Sequence, residues 1–240
     1  MLETEQVAYG DDGARLNGFL AVDGARRNRR PGILVIHGGG GLDDHARGRA
    51  RRFAEAGFVA FACDMYGEGV AGRDAIVRLV MELRGNREML RRRAQAAIDV
   101  LRQDPRVDGR IAAVGYCFGG MAVLELARSG ARLAGAVSVH GSLETPRPAE
   151  PSAVQARILV CHGALDPHVP MTQVTAFADE MKHAGVDYQL IIYGGAMHGF
   201  THETATGQQP GVAYHARADE RSSAAIGSFL AEIFGDAPAS

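Results

Sequence analysis

The stretch that most restricts what this chain can fold into is Ile111 to Arg128. A short apolar run, Ile111 to Val114, reads as a buried strand, and Met121 to Ala127 reads as a helix that is apolar on most of its circumference. Between them lies Gly115-Tyr116-Cys117-Phe118-Gly119-Gly120. A Gly-x-Cys-x-Gly turn joining a strand to a helix is the cysteine form of the nucleophile elbow. The glycines allow the backbone to approach closely where a Cβ would block it. The residue at the apex, Cys117, is pushed out of the strand end and becomes the candidate nucleophile.

Strands and helices alternate through the rest of the chain. Val7–Tyr9 and Leu16–Val22 read as two strands joined at Asp11-Asp12-Gly13. Gly32–Ile36, Phe58–Cys63, Leu133–Val139, Arg157–Cys161 and Val186–Tyr193 are apolar runs of strand length. Helices are expected over Asp44–Ala56, over Arg73–Arg102 with a break at Gly85-Asn86, from Pro170 to Ala184, and over Val212–Phe234. Val107–Arg110 reads as a turn, Glu144–Pro151 as a surface loop, and Gly194–Gly211 as a long loop. This alternation predicts a single α/β domain over residues 1–240, with a mostly parallel sheet and helices on both faces.

Charge and composition exclude several partners. The net charge of −2 gives no basis for binding nucleic acid or an anionic membrane. No run approaches the roughly 20 apolar residues of a membrane span. Arg26–Arg30 reads as a basic loop and Arg91–Arg93 as a solvated helix face. The amino terminus lacks the basic and apolar regions of a signal peptide. The three cysteines, Cys63, Cys117 and Cys161, fit free thiols in a reducing compartment, so a cytoplasmic location is expected. Cys63 and Cys161 read as small buried hydrophobes.

In an open α/β sheet the site forms beyond the carboxyl ends of the strands. A nucleophile, then an acid after a later strand, then a histidine after the last strand is the chain order of α/β-hydrolases. Cys117, Asp166 and His198 fill it. His198 is placed to take the thiol proton and return it to a leaving group, and Asp166 to hold the imidazole tautomer. The amide of Phe118 and that of Gly39, in the run His37-Gly38-Gly39-Gly40-Gly41, are the expected oxyanion donors. His162 and His168 are rival bases on the acid's own loop, while His37 and His140 are expected to line the pocket. No pair of histidines has ligand spacing, so no metal is expected.

These residues resemble the dienelactone hydrolase family over roughly Gly32 to Phe234. The resemblance is carried by Gly115–Gly120, by His162-Gly163 with Asp166 and Val169-Pro170, by Met197-His198-Gly199-Phe200, and by Asp64-Met65-Tyr66-Gly67. It implies an eight-stranded α/β-hydrolase fold, no cofactor, and opening of a small lactone or ester through a cysteine acyl-enzyme. It implies Tyr66 and His140 near the pocket. It also marks two departures. Gly38 stands where members carry a thiol-activating glutamate, and His202 stands where members acting on dienelactone use an arginine to hold a carboxylate. A non-catalytic binding or sensing protein on this scaffold, and an acyltransferase using the same residues, are the alternatives.

Overall fold

Two adjacent residues of positive φ, Asp12 at 48° and Gly13 at 81°, turn the amino-terminal chain back on itself. That twist matches the right-handed twist of paired strands. The resulting hairpin joins β1 (Leu2–Asp11) to β2 (Ala14–Asp23) in antiparallel register from Leu2↔Asp23 to Asp11↔Ala14. Both strands are longer than the apolar pattern predicts, because the polar run Leu2–Gln6 is held by its partner's backbone rather than by burial. The computed structural model describes residues 1–68, 70 and 72–235; the end of the expected Asp64–Gly69 exit from the fourth strand therefore lies outside the described residues.

The chain divides into two compact units, Met1–Val114 and Gly115–Ser240, and the division falls inside β5 (Val107–Tyr116). In the first unit β2 pairs antiparallel with β4 (Val59–Cys63), and β4 pairs parallel with β3 (Arg30–Ile36). Every residue of β4 is buried, as is Gly32–Ile36 of β3. Side chains such as Leu34, Ile36 and Phe61 are fully excluded from water, which favours the fold by roughly 1.5–3 kcal/mol each. Helix α1 (Asp44–Glu55) is capped by Asp43, whose carboxylate accepts from the Ala46 amide at 3.0 Å. The break at Gly85-Asn86 is real: α2 (Arg73–Gly85) ends there, and Asn86 caps α3 (Arg87–Gln103) by accepting from the Met89 amide.

Three readings of the first unit are corrected. Val107–Arg110 is not a turn but the start of β5; the extended chain passes Gly109 at φ 98°. Arg93 does not belong to a solvated face. It is 8% exposed, donates to the carbonyls of Met65 (2.6 Å) and Tyr66 (3.2 Å), and pairs with Asp11 at 3.7 Å. Arg30 likewise leaves its basic loop to begin β3, buried, with its guanidinium on the carbonyls of Asp23, Arg26 and Asn28.

In the second unit α4 (Phe118–Arg128) is buried along its whole length. β6 (Gly135–Val139), β7 (Arg157–Gly163) and β8 (Tyr188–Tyr193) pair in parallel. α5 (Met171–Ala184) has Pro170 as its cap residue, and α6 (Ala216–Gly235) starts four residues later than the sequence pattern suggests. Glu125 and Arg128 on α4 are buried but satisfied. Arg128 forms a two-pronged pair with Glu180 of α5 at 2.7 and 2.8 Å and donates to the Leu143 carbonyl. The second Glu180 contact, from the Ala149 amide, pins the proline-rich loop to the same ion group. The eight strands form one mostly parallel sheet in the order β1-β2-β4-β3-β5-β6-β7-β8, consistent with an α/β-hydrolase fold.

Candidate active site

The elbow has the geometry its sequence demands. Cys117 sits at φ 53° and ψ −113°, a region costly for any residue with a Cβ and one that clusters at functional sites. The turn closes only because its neighbours are glycine. A Cβ on Gly115 would strike the carbonyl of Gly119, and one on Gly120 would come within 2.6 Å of the Ser138 hydroxyl and 2.9 Å of Gly141 Cα. Gly115→Ala is therefore expected to destabilise the protein by about 3 kcal/mol, read as a lower urea midpoint with an unchanged slope.

The Cys117 thiol is half-buried, whereas Cys63 and Cys161 are fully buried. Burial pushes the Cys63 thiol far above its ordinary range and the Cys161 thiol up to about 12. Neither is a nucleophile at neutral pH.

The structure brings the three expected residues of the second unit together. His198 Nε2 lies 3.0 Å from Cys117 Sγ, and His198 Nδ1 lies 2.8 Å from Asp166 Oδ2. Asp166 is 4% exposed, and its other oxygen accepts from the amides of His168 (2.8 Å) and Val169 (3.1 Å). One Asp166 oxygen thus closes the turn into α5 and the other bonds the imidazole. His198 is itself held by its backbone, donating to the Gly211 carbonyl and accepting from the Ala213 amide. The long loop Gly194–Gly211 is therefore bridged to the residues that follow it at His198↔Val212 and Thr206↔Ala213.

Burial acts to lower the affinity of His198 for its proton. The hydrogen bonds to Asp166 and Cys117, with the negative charge of both, outweigh burial and push the pKa up to about 10. The rival histidines stand elsewhere. His162 is buried on β7, where burial pushes its pKa down, and among the described residues neither ring nitrogen has a hydrogen-bond partner. His168 turns Nε2 to the Pro210 carbonyl at 3.3 Å, with its ring edge-on to His198.

His140, expected to line the pocket, is only 1% exposed. Its Nδ1 accepts from the Cys117 amide at 3.1 Å and its Nε2 lies 2.9 Å from Thr201 Oγ1. His202 lies with its ring 5.6 Å from that of His140. Phe118 is the first residue of α4, so its amide opens the helix where partial positive charge gathers. Thr201 was not marked by the sequence, since a threonine in a loop carries no signal of its own.

The remaining expected residues belong to the first unit. Gly38 is buried and Gly39 is partly exposed; the Tyr66 hydroxyl donates to the Gly39 carbonyl at 3.0 Å. Tyr66 is 6% exposed, with its amide on Asp64. His37 is buried, accepts from the Met65 amide at Nε2 and meets the Gly38 carbonyl at Nδ1. Burial pushes its pKa down, so it serves as a neutral tie between two loops. Among the described residues no three His, Cys, Asp or Glu side chains are grouped to hold a metal, and no helix is long and apolar enough to cross a membrane.

The family model for the dienelactone hydrolase family matches residues 16–234. The crystal structure of a dienelactone hydrolase-like promiscuous phosphotriesterase, P91, from metagenomic libraries is 40% identical with a TM-score of 0.92, covering 97% of this chain and 99% of that one. The structure titled m3DLH is 37% identical, also at 0.92, with the same coverage. A Saccharolobus solfataricus protein named "Putative carboxymethylenebutenolidase" is 24% identical over 266 residues, covering 95% of this chain and 98% of that protein.

Proposed function

The chain belongs to the dienelactone hydrolase family, and from that premise we propose that this hydrolase cleaves small carboxylic esters or lactones through an acyl-enzyme on Cys117. The observation that carries this reading is the continuous line from sulfur to imidazole to carboxylate, at 3.0 and 2.8 Å, on a strained elbow.

Activation follows from the same line. We take the reactive form to be a thiolate–imidazolium pair: the carboxylate of Asp166 and an ionised Cys117, both bonded to the ring, raise the His198 pKa to about 10 and so favour the imidazolium. Such a pair has no need of the glutamate that Gly38 replaces. The thiolate attacks the carbonyl carbon and the carbonyl π electrons move to oxygen. The oxyanion is stabilised by the Phe118 amide at the start of α4; on sequence order alone, the second donor is assigned to Gly39. The tetrahedral species collapses, the C–O bond breaks, and His198 gives its proton to the departing alkoxide. In a lactone that alkoxide stays tethered to the acyl group. His198, now neutral, removes a proton from water, the hydroxide attacks the thioester, and the acid leaves as the thiolate and imidazolium re-form.

Resemblance to the promiscuous phosphotriesterase supports a second reading, that the same thiolate attacks phosphorus in an aryl phosphotriester. A panel of aryl esters, five- and six-membered lactones and an aryl dialkyl phosphate decides between them. The esters or lactones are expected to reach kcat/KM values of at least about 10⁴ M⁻¹ s⁻¹, with the phosphotriester slower. Turnover of the phosphotriester alone would favour the second reading. No turnover above the buffer rate on any member would overturn both. Products made only in the presence of an added alcohol would identify acyl transfer instead.

A further inference from the structure

The Cys117 amide hydrogen is shared between the Val139 carbonyl at 3.0 Å and His140 Nδ1 at 3.1 Å. A ring nitrogen that accepts from an amide carries no hydrogen of its own. The single ring hydrogen of His140 is therefore on Nε2, where it is donated to Thr201 Oγ1 at 2.9 Å. Thr201 lies three residues beyond His198, in a turn closed by the His202 amide on the Gly199 carbonyl. The His140 ring also packs edge-on to Phe200 at 5.0 Å and to His198 at 5.4 Å. Its own backbone is held at φ 41°, with its amide on the Cys161 carbonyl at 2.8 Å. Both His140 and Thr201 are 1% exposed.

We propose that His140 and Thr201 are positioning residues: they clasp the backbone of the nucleophile to the loop that carries its base, and so set the distance between Cys117 Sγ and His198 Nε2. This rests on the reading of Cys117 as nucleophile. The two groups arrive on separate loops, one after β5 and one after β8, and each has its own backbone anchors. His140 touches both, with one nitrogen for each loop. It has to be neutral to do so, because a hydrogen on Nδ1 would oppose the Cys117 amide hydrogen. Removing the Thr201 hydroxyl leaves a buried N–H without this acceptor, and a buried donor that loses its partner shifts to find another. A misplacement of the base on the order of 1 Å is enough to slow a reaction about a hundredfold.

Thr201→Val keeps the shape and removes the hydroxyl, Thr201→Ser keeps the hydroxyl, and His140→Asn leaves an acceptor for the amide at a positive φ that asparagine tolerates. Each is assayed for kcat, KM, the pH dependence of Cys117 alkylation by iodoacetamide, and thermal midpoint. For Thr201→Val, kcat is expected to fall roughly ten- to a hundredfold with KM within about twofold, and alkylation at neutral pH to slow by a similar factor. Thr201→Ser is expected to stay within about threefold of wild type. Wild-type kcat and alkylation in Thr201→Val would overturn the clasp, and so would an equal loss in Thr201→Ser, which would mean packing alone. Should Thr201→Val fail to fold, His140→Asn decides: slower alkylation supports the clasp and an unchanged profile overturns it. If Cys117→Ala keeps wild-type hydrolysis, it is the nucleophile assignment that fails; if Cys117→Ala is inactive while Thr201→Val is unaffected, only the clasp fails.

Discussion

Replacing Cys117 with alanine is expected to lower kcat/KM for aryl esters and lactones by roughly 10⁴- to 10⁶-fold. The size follows from where the group acts. In the proposed mechanism the sulfur is the atom that bonds to carbon, so its loss removes the covalent route entirely, and only the oxyanion donors and binding remain. Such remnants accelerate reactions by about 10³–10⁴ over water in related triad enzymes. The fold should not change. Alanine keeps a Cβ at φ 53°, so the strain at the apex is the same, and the thiol is only half-buried. An unchanged urea midpoint alongside the lost activity separates a chemical role from a structural one. Cys117→Ser tests the activation instead. Its hydroxyl gives up a proton far less readily than a thiol, so a serine there depends on His198 as a true base, and turnover is expected to fall well below wild type.

His198→Ala is expected to cost a similar roughly 10⁴- to 10⁶-fold, and to change the pH dependence of the thiol as well. On the proposed activation an imidazolium beside Cys117 favours the thiolate, so iodoacetamide alkylation is expected to stay fast below the ordinary thiol range. Without His198 that charge is gone, and alkylation should follow a thiol titrating near about 8.5. Cys63 and Cys161 do not confuse the measurement, being fully buried with their pKa values pushed up. The sign of the linked stability is set by the direction of the shift. A histidine whose pKa is raised on folding contributes stability that is fully present below its unfolded value of about 6.5. That contribution is lost as pH rises through the folded value of about 10. The stability gap between wild type and His198→Ala should therefore narrow from neutral pH towards about 10. Activity should fall over the same upper range, as His198 loses the proton it gives to the leaving group.

Much of this site was legible because its parts obey local rules. The elbow could be read from glycine spacing, since the Gly115 and Gly120 contacts leave no room for a Cβ. Asp166 could be read from chain order, as the acid that follows a strand between the nucleophile and the histidine; the turn it begins uses one carboxylate oxygen and leaves the other for His198. What the sequence hid was decided by partners far along the chain. Arg93 looked solvated within Arg91–Arg93, yet the carbonyls of Met65 and Tyr66 and the carboxylate of Asp11 draw it inward. Leu2–Gln6 has too few apolar residues to show as a strand, and only pairing with β2 makes it one. Asp108-Gly109-Arg110 carries turn residues but continues a strand. Thr201 had no periodicity or motif to mark it, and its place beside His140 comes from two loops meeting.

The most direct measurement is the mass of the protein quenched in acid during turnover of a slowly released acyl ester, with the modified peptide then mapped. The account predicts a single acyl increment on the peptide containing Cys117, rising and then decaying as the substrate is consumed, and absent from Cys117→Ala. Turnover with no increment at any quench time, or an increment on a different residue, would contradict it.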